Sequence, residues 1–112
     1  MENLLKETIE VLQSNKKDVS DVIWCGSKEF GRFDWIIFAL LSNKDYDSGF
    51  GSQLVAKDLL IVGKDFWLER HEYDGSEWWE FKSLPAMPKF ESIPNKIISD
   101  KYSGTLEEIS KE

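Results

Sequence analysis

Between Asp65 and Lys82 apolar and polar residues alternate outward from Asp74-Gly75, and this pattern predicts a β-hairpin. Asp74 and Gly75 are the residue types that tolerate positive φ at both central positions of a type I′ turn. With those two as the loop, Tyr73 faces Ser76, His71 faces Trp78, Arg70 faces Trp79, Glu69 faces Glu80, Leu68 faces Phe81 and Trp67 faces Lys82. Strand side chains point alternately to the two faces of a sheet. One face therefore carries Phe66, Leu68, Arg70, Trp79 and Phe81, and is expected on the core. The other carries Trp67, Glu69, His71, Trp78, Glu80 and Lys82. On this second face two carboxylates stand opposite one another, which calls for a compensating cation, and Trp67 beside Lys82 suggests a cation–π pair.

The rest of the pattern surrounds this hairpin. Asn3 to Ser14 has Leu5, Ile9 and Leu12 at helical spacing, with Asn3 as cap and Glu7 in the early turns. Asp21 to Cys25 is β-branched and aromatic and predicts a short strand stopped by Gly26; Phe30 to Phe33 predicts a turn. Asp34 to Leu41 is apolar on nearly every side. It reads as a deeply buried helix capped by Asp34 or as a central strand, and its alanine and leucines favour the helix. Leu54 to Val62 is strand-like and leads into the hairpin. A two-residue turn at Gly63-Lys64 pairs Leu59 with Leu68 and Ile61 with Phe66. It also places Asp58 beside Glu69, completing a row Asp58–Glu69–Glu80. A three-residue loop pairs Asp58 with Arg70 and dissolves the row, and the unbroken apolar run Leu59–Val62 leaves both registers open. After Lys82 the pattern is lost. Pro85, Pro88 and Pro94 predict an extended crossing segment, and Thr105 with Glu108 has the spacing of a capping box for a short terminal helix.

The expected architecture is α+β: an antiparallel meander of three to four strands over residues 54–83, with one or two helices on one face. The strand near residues 21–25 is expected to join it. The 112 residues form one expected domain, divided into a helix/strand/helix part with a Gly-rich loop (1–53), the meander (54–83) and a Pro-containing tail (84–112).

Composition narrows the function. A formal net charge of −7 and a pI near 4.7 argue against direct nucleic-acid binding and fit a partner with a basic patch. No apolar run reaches the ~20 residues of a membrane span, and no basic n-region opens the chain, so a cytoplasmic protein is expected. The one cysteine, Cys25, allows neither an internal disulfide nor a thiolate metal cluster, and burial as a small apolar side chain is expected for it.

The loop from Lys44 to Ser52 is rich in Gly, Ser and Asp. Its Gly49-Phe50-Gly51 lacks the spacing of a phosphate-binding loop, and its Asp45, Asp47 and Ser48 lack the terminal glutamate of a calcium loop. Loops contact ligands, so Tyr46, Asp47 and Phe50 are candidate binding residues. No cofactor is expected.

Three stretches, Tyr46–Gly51 (YDSGFG), Ala56–Gly63 (AKDLLIVG) and Trp67–Phe81 (WLERHEYDGSEWWEF), resemble a family of small proteins encoded by bacteriophages and prophages of Gram-positive bacteria. The family has no established activity, so the resemblance implies an origin and no catalytic residues. By analogy, accessory proteins of this kind bind a host or phage protein.

Three functions follow. The first is a non-enzymatic interaction protein with Trp67, Tyr73 and Trp78 as anchors and Asp58, Glu69, His71 and Glu80 supplying polar contacts. The second is a metal-dependent or acid–base enzyme built on Glu69, Glu80 and His71. The third is an oligomeric assembly component that pairs through a sheet face or an open edge. The plain alternative for the polar face is a solvated outer sheet surface.

Overall fold

In a computed structural model, which describes residues 1–49 and 51–112, the elements run β1 (Glu2–Asn3), α1 (Leu4–Ser14), a 3-10 turn (Val19–Asp21), β2 (Val22–Ser27), β3 (Gly31–Phe33), α2 (Trp35–Ser42), β4 (Asp45–Tyr46), β5 (Leu60–Gly63), β6 (Phe66–Tyr73), β7 (Ser76–Ser83) and α3 (Leu106–Ser110). Five strands form one antiparallel sheet in the order β3-β2-β5-β6-β7, and β1 pairs with β4 in a separate two-stranded ribbon. The fold is α+β.

The hairpin β6–β7 has the register its alternation predicts, from Phe66 opposite Ser83 to Tyr73 opposite Ser76. Asp74 and Gly75 take the positive φ values of 50° and 87° that close it. The helix caps are also as expected. The Asn3 side chain accepts from the Lys6 N–H at 3.0 Å, and Asp34 accepts from the Ile37 N–H at 3.0 Å. Residues 35–42 are helical, and Thr105 with Glu108 forms a reciprocal capping box on α3.

Four expectations are corrected. β2 continues through Gly26 to Ser27, because the turn lies at residues 28–30 and Gly31–Phe33, expected within a turn, returns as the partner strand β3. A Cβ at Gly26 would stand 2.0 Å from the Gly31 carbonyl oxygen, so only glycine fits this close approach. Residues 54–59 are not strand; β5 begins at Leu60. Its connection to β6 is Lys64-Asp65 rather than Gly63-Lys64, so Leu60 faces Glu69, Ile61 faces Leu68 and Val62 faces Trp67. This moves the partner of Ile61 by two residues, from Phe66 to Leu68, which keeps Ile61 on the core face and puts Gly63 beside Phe66, where a Cβ would meet the ring at 2.0 Å. Finally, α2 is not deeply buried. It buries Phe38 and Ser42 on one side, while Ile36, Leu40 and Leu41 stay exposed. A helix packed against a sheet and one neighbouring helix still leaves a side to solvent, and apolar residues all round it cannot change that.

The core lies between the sheet and the two helices: Leu12 of α1, Phe38 of α2, and Cys25, Ile61, Phe66, Leu68 and Trp79 of the sheet. Within this layer sits an ionic network. The Arg70 side chain is wholly buried, and its guanidinium donates to Glu77 at 2.7 Å, to Glu7 at 3.1 Å and to the Tyr46 hydroxyl at 3.0 Å. It also lies over the Trp79 ring at 4.7 Å. Trp79 donates its indole N–H to Thr8 at 2.8 Å. The Glu77 carboxylate in turn accepts the backbone N–H groups of Leu54 at 2.6 Å and Val55 at 3.2 Å. One buried cation thereby ties α1, β4, the loop before β5 and the hairpin together. Burial opposes the charge on Arg70, but its hydrogen bonds to Glu77 and Tyr46 outweigh that and keep it protonated.

Residues 84–105 have no regular structure, and Met87, Phe90 and Ile93 in this segment stay exposed. The radius of gyration, 18.9 Å, exceeds the roughly 13 Å of a compact domain of this length, as an extended tail requires. Among the described residues no helix is long and apolar enough to cross a membrane.

Glu77→Ala strands a buried guanidinium and two backbone donors, so it is expected to destabilise the fold by about 3 kcal/mol. Urea denaturation measures this, and a loss below about 1 kcal/mol would show that Glu7 and Tyr46 alone satisfy Arg70. Cys25 is fully buried; desolvation, helped by the Asp34 charge, pushes its thiol pKa up to about 12. It is therefore expected to resist iodoacetamide at pH 8 in the native protein and to react on unfolding. Rapid native labelling would contradict its burial.

Candidate functional site

The outer face of the sheet, turned away from the helices, is built by the alternation of the same strands. Its central row runs Gly26, Leu60, Glu69, Glu80 from β2 to β7, and the row beside it runs Trp24, Val62, Trp67, Lys82. Beyond the central row stand His71 and Trp78, also a facing pair.

Facing carboxylates normally repel, and four groups resolve the conflict here. Trp67 donates its indole N–H to Glu69 at 2.6 Å, and Trp78 donates to Glu80 at 3.3 Å. His71 stands between them, with Nε2 2.7 Å from Glu69 and Nδ1 3.7 Å from Glu80. Lys82 lies 3.3 Å from Glu80. The expected cation–π pairing of Lys82 with Trp67 is thus replaced by an ion pair with Glu80, since a carboxylate is the stronger partner for an ammonium. These contacts hold both acids ionised. Glu69 is lowered below the usual carboxylate range first by the Trp67 hydrogen bond and then by His71, and Glu80 by Trp78 and then Lys82. Glu69, His71 and Glu80 keep about a third of their side-chain surface exposed, so the cluster is open to a ligand.

Of the residues singled out from sequence, Trp67, Glu69, His71, Trp78 and Glu80 are brought together. Tyr73 lies on the same face at the exposed hairpin end, beyond the cluster. Asp58 does not join the row. The register seats Leu60 opposite Glu69, and Asp58 precedes the strand. Phe50 lies outside the described residues. Tyr46 is engaged in the buried network, where burial and a hydrogen bond to Glu7 raise its phenol above the ordinary range. Asp47 turns its carboxylate onto the Gly49 N–H at 3.0 Å.

Tyr46, Asp47 and Asp58 meet elsewhere. On the helix side of the sheet they line an open cleft of about 1090 Å³, walled by Leu4, Phe33, Phe38, Val55 and Leu59. Sequence reading missed both this cleft and Glu77. Glu77 was detectable, because it shares the core face with Arg70, and an arginine on an apolar face needs a buried acid. The cleft was not, because its walls come from five separate segments. Among the described residues no group of three or more His, Cys, Asp or Glu side chains is placed to hold a metal ion.

The Glu69 shift carries a stability signature. Its folded pKa lies below the unfolded value, so the stabilisation is present above the ordinary carboxylate range and fades as pH falls through the folded value. Trp67→Phe removes the first donor. In a carboxyl NMR titration the Glu69 pKa is expected to rise, and the stability gap from wild type is expected to close towards low pH. An unmoved Glu69 titration would show that the indole does not set it. No protein-family model, no curated protein and no solved structure matches the chain, so the geometry of this face and of the cleft is what bears on its function.

Proposed function

We propose that the protein is a non-enzymatic interaction protein whose outer sheet face binds a basic segment of a protein partner. The observation that carries this reading is the Glu69–Glu80 pair, oriented and kept ionised by Trp67, Trp78 and His71 on an open face. Carboxylates whose orientation is already set lose little entropy on meeting an Arg or Lys side chain. The indole rings beside them offer apolar and cation–π surface to the same side chain. The net charge of −7 favours encounter with a cationic partner. A host or phage protein is the partner that the resemblance to phage and prophage proteins suggests.

The test compares wild type, Trp67→Ala/Trp78→Ala and Glu69→Gln/Glu80→Gln in affinity capture and then in titration against the captured partner. Losing an anchoring tryptophan is expected to weaken binding by about 30-fold, equivalent to about 2 kcal/mol. The glutamine variant is expected to lose most of the salt dependence of association. If both folded variants bind as wild type does, the outer face is not the binding surface.

A further inference from the structure

The hairpin ends the five-stranded sheet, so β7 pairs with β6 on one side and, among the described residues, with no strand on the other. In an antiparallel pair the backbone N–H and C=O groups of alternate residues point to opposite sides of the strand. Two hydrogen bonds fix which residues of β7 point outward. The Leu84 N–H turns inward to the Asp65 carbonyl at 2.8 Å, whereas the Glu77 N–H turns away from β6 to the Ser48 carbonyl at 2.9 Å. Even-numbered residues therefore bond β6, and Trp79, Phe81 and Ser83 direct their backbone groups over the edge. Ser48 meets this edge at Glu77. Among the described residues no backbone carbonyl of another segment accepts the N–H groups of the other three.

An open edge is a template for another strand, and the side chains of β7 select which. A second β7, running antiparallel, can set outward-directed residues opposite one another in a few registers. Centred on Glu80 or on Lys82, the pairing puts two like charges face to face, which is unfavourable. Centred on Trp79, it needs the Glu77 position that Ser48 holds. Centred on Phe81, it sets Glu80 opposite the partner's Lys82 and Lys82 opposite the partner's Glu80. The same register sets Trp78, 37 % exposed, against the partner's Leu84, a position 62 % exposed in the single chain. Phe81, half-buried and stacked on Phe66 at 5.5 Å, meets its own copy on the core side.

We infer that the protein forms a two-fold symmetric dimer through the β7 edge, which joins two sheets into one continuous sheet with the axis at Phe81. The interface is isologous, so every Glu80–Lys82 contact occurs twice. Trp79 exchanges N–H···O bonds with the partner's Ser83, and Phe81 with the partner's Phe81. The Lys82 ammonium already lies 3.3 Å from Glu80 of its own strand, and pairing brings it a second carboxylate. So short an edge makes a small interface and a reversible dimer. The inference stands whether or not the outer face takes a basic partner.

Sedimentation equilibrium of the full chain from about 1 μM to about 1 mM spans the affinities of weak interfaces. Wild type is expected to pass from monomer to dimer. Over the same range hydrogen exchange is expected to slow at the Trp79, Phe81 and Ser83 amides and to stay unchanged at Glu80 and Lys82. Glu80→Lys or Lys82→Glu alone sets like charges opposite one another twice and is expected to weaken the dimer about tenfold. Combining the two exchanges is expected to recover it. Ser83→Pro removes an outward donor at an edge position, where proline is tolerated, and is expected to give a folded monomer. A wild type that stays monomeric throughout overturns the inference. So does a dimer whose concentration-dependent amide changes fall on Leu40 and Leu41 of α2, or on Gly31 to Phe33 at the opposite edge. Failure of the double exchange to recover dimerisation overturns the pairing centred on Phe81.

Discussion

A charged guanidinium in the middle of an apolar layer constrains everything packed around it. Arg70 comes from the centre of β6, and its alternation directs it inward beside Leu68 and Phe66. Isolated, such a charge would be prohibitively destabilising. It is tolerated because Glu77 comes from the neighbouring strand, Glu7 from α1 and Tyr46 from β4, each within hydrogen-bond distance. Pairing its two terminal nitrogens, while Nε has no partner among the described residues, brings the N-terminal helix and the chain's return after α2 to the hairpin. A well-packed apolar side chain could supply as much stability, but it would not distinguish one placement of these segments from another.

The same network couples the two candidate surfaces to the scaffold. Glu77 holds the backbone of Leu54 and Val55, and Ser48 accepts the Glu77 N–H at 2.9 Å, so the segments around the cleft hang from the hairpin. The outer cluster lies wholly on the β6–β7 hairpin, whereas the cleft is lined by the N-terminus, β2, β3, α2, β4 and the segment before β5, to which the hairpin contributes only through the buried hydrogen bonds. Core-facing residues position loops through buried hydrogen bonds, while outward-facing ones present indoles and carboxylates. The period of two thus separates, on one hairpin, the buried network from the outward carboxylates and indoles.

The outer cluster shows how a sheet accommodates like charges. Glu69 and Glu80 face one another because the hairpin register places them so. Each acid has a tryptophan two residues away on its own strand, on the same face, with an N–H to give. That spacing is local and satisfies the carboxylates without burying them. His71 adds a group between the acids, and Lys82 balances part of their charge. The face remains acidic, aromatic and accessible.

What the sequence determined by itself is local. The hairpin register followed from Asp74-Gly75 and strict alternation; the caps at Asn3, Asp34 and Thr105 followed from side chains that bond their own backbone a turn away. The resulting cluster of Trp67, Glu69, His71, Trp78 and Glu80 was legible for the same reason, since one hairpin carries all of it. The β5–β6 register was not, because Leu59 to Val62 is apolar at every position and no pattern separates one pairing from its neighbour. Tertiary packing chose the one in which Leu60, not Asp58, stands beside Glu69. Strand residues 26–27 and β3 likewise exist because each supplies hydrogen bonds to the other. Only the folded chain could assemble the Arg70 network and the cleft. Glu7, Tyr46, Arg70 and Glu77 are distant in sequence, and their meeting depends on which surfaces the helices and loops cover.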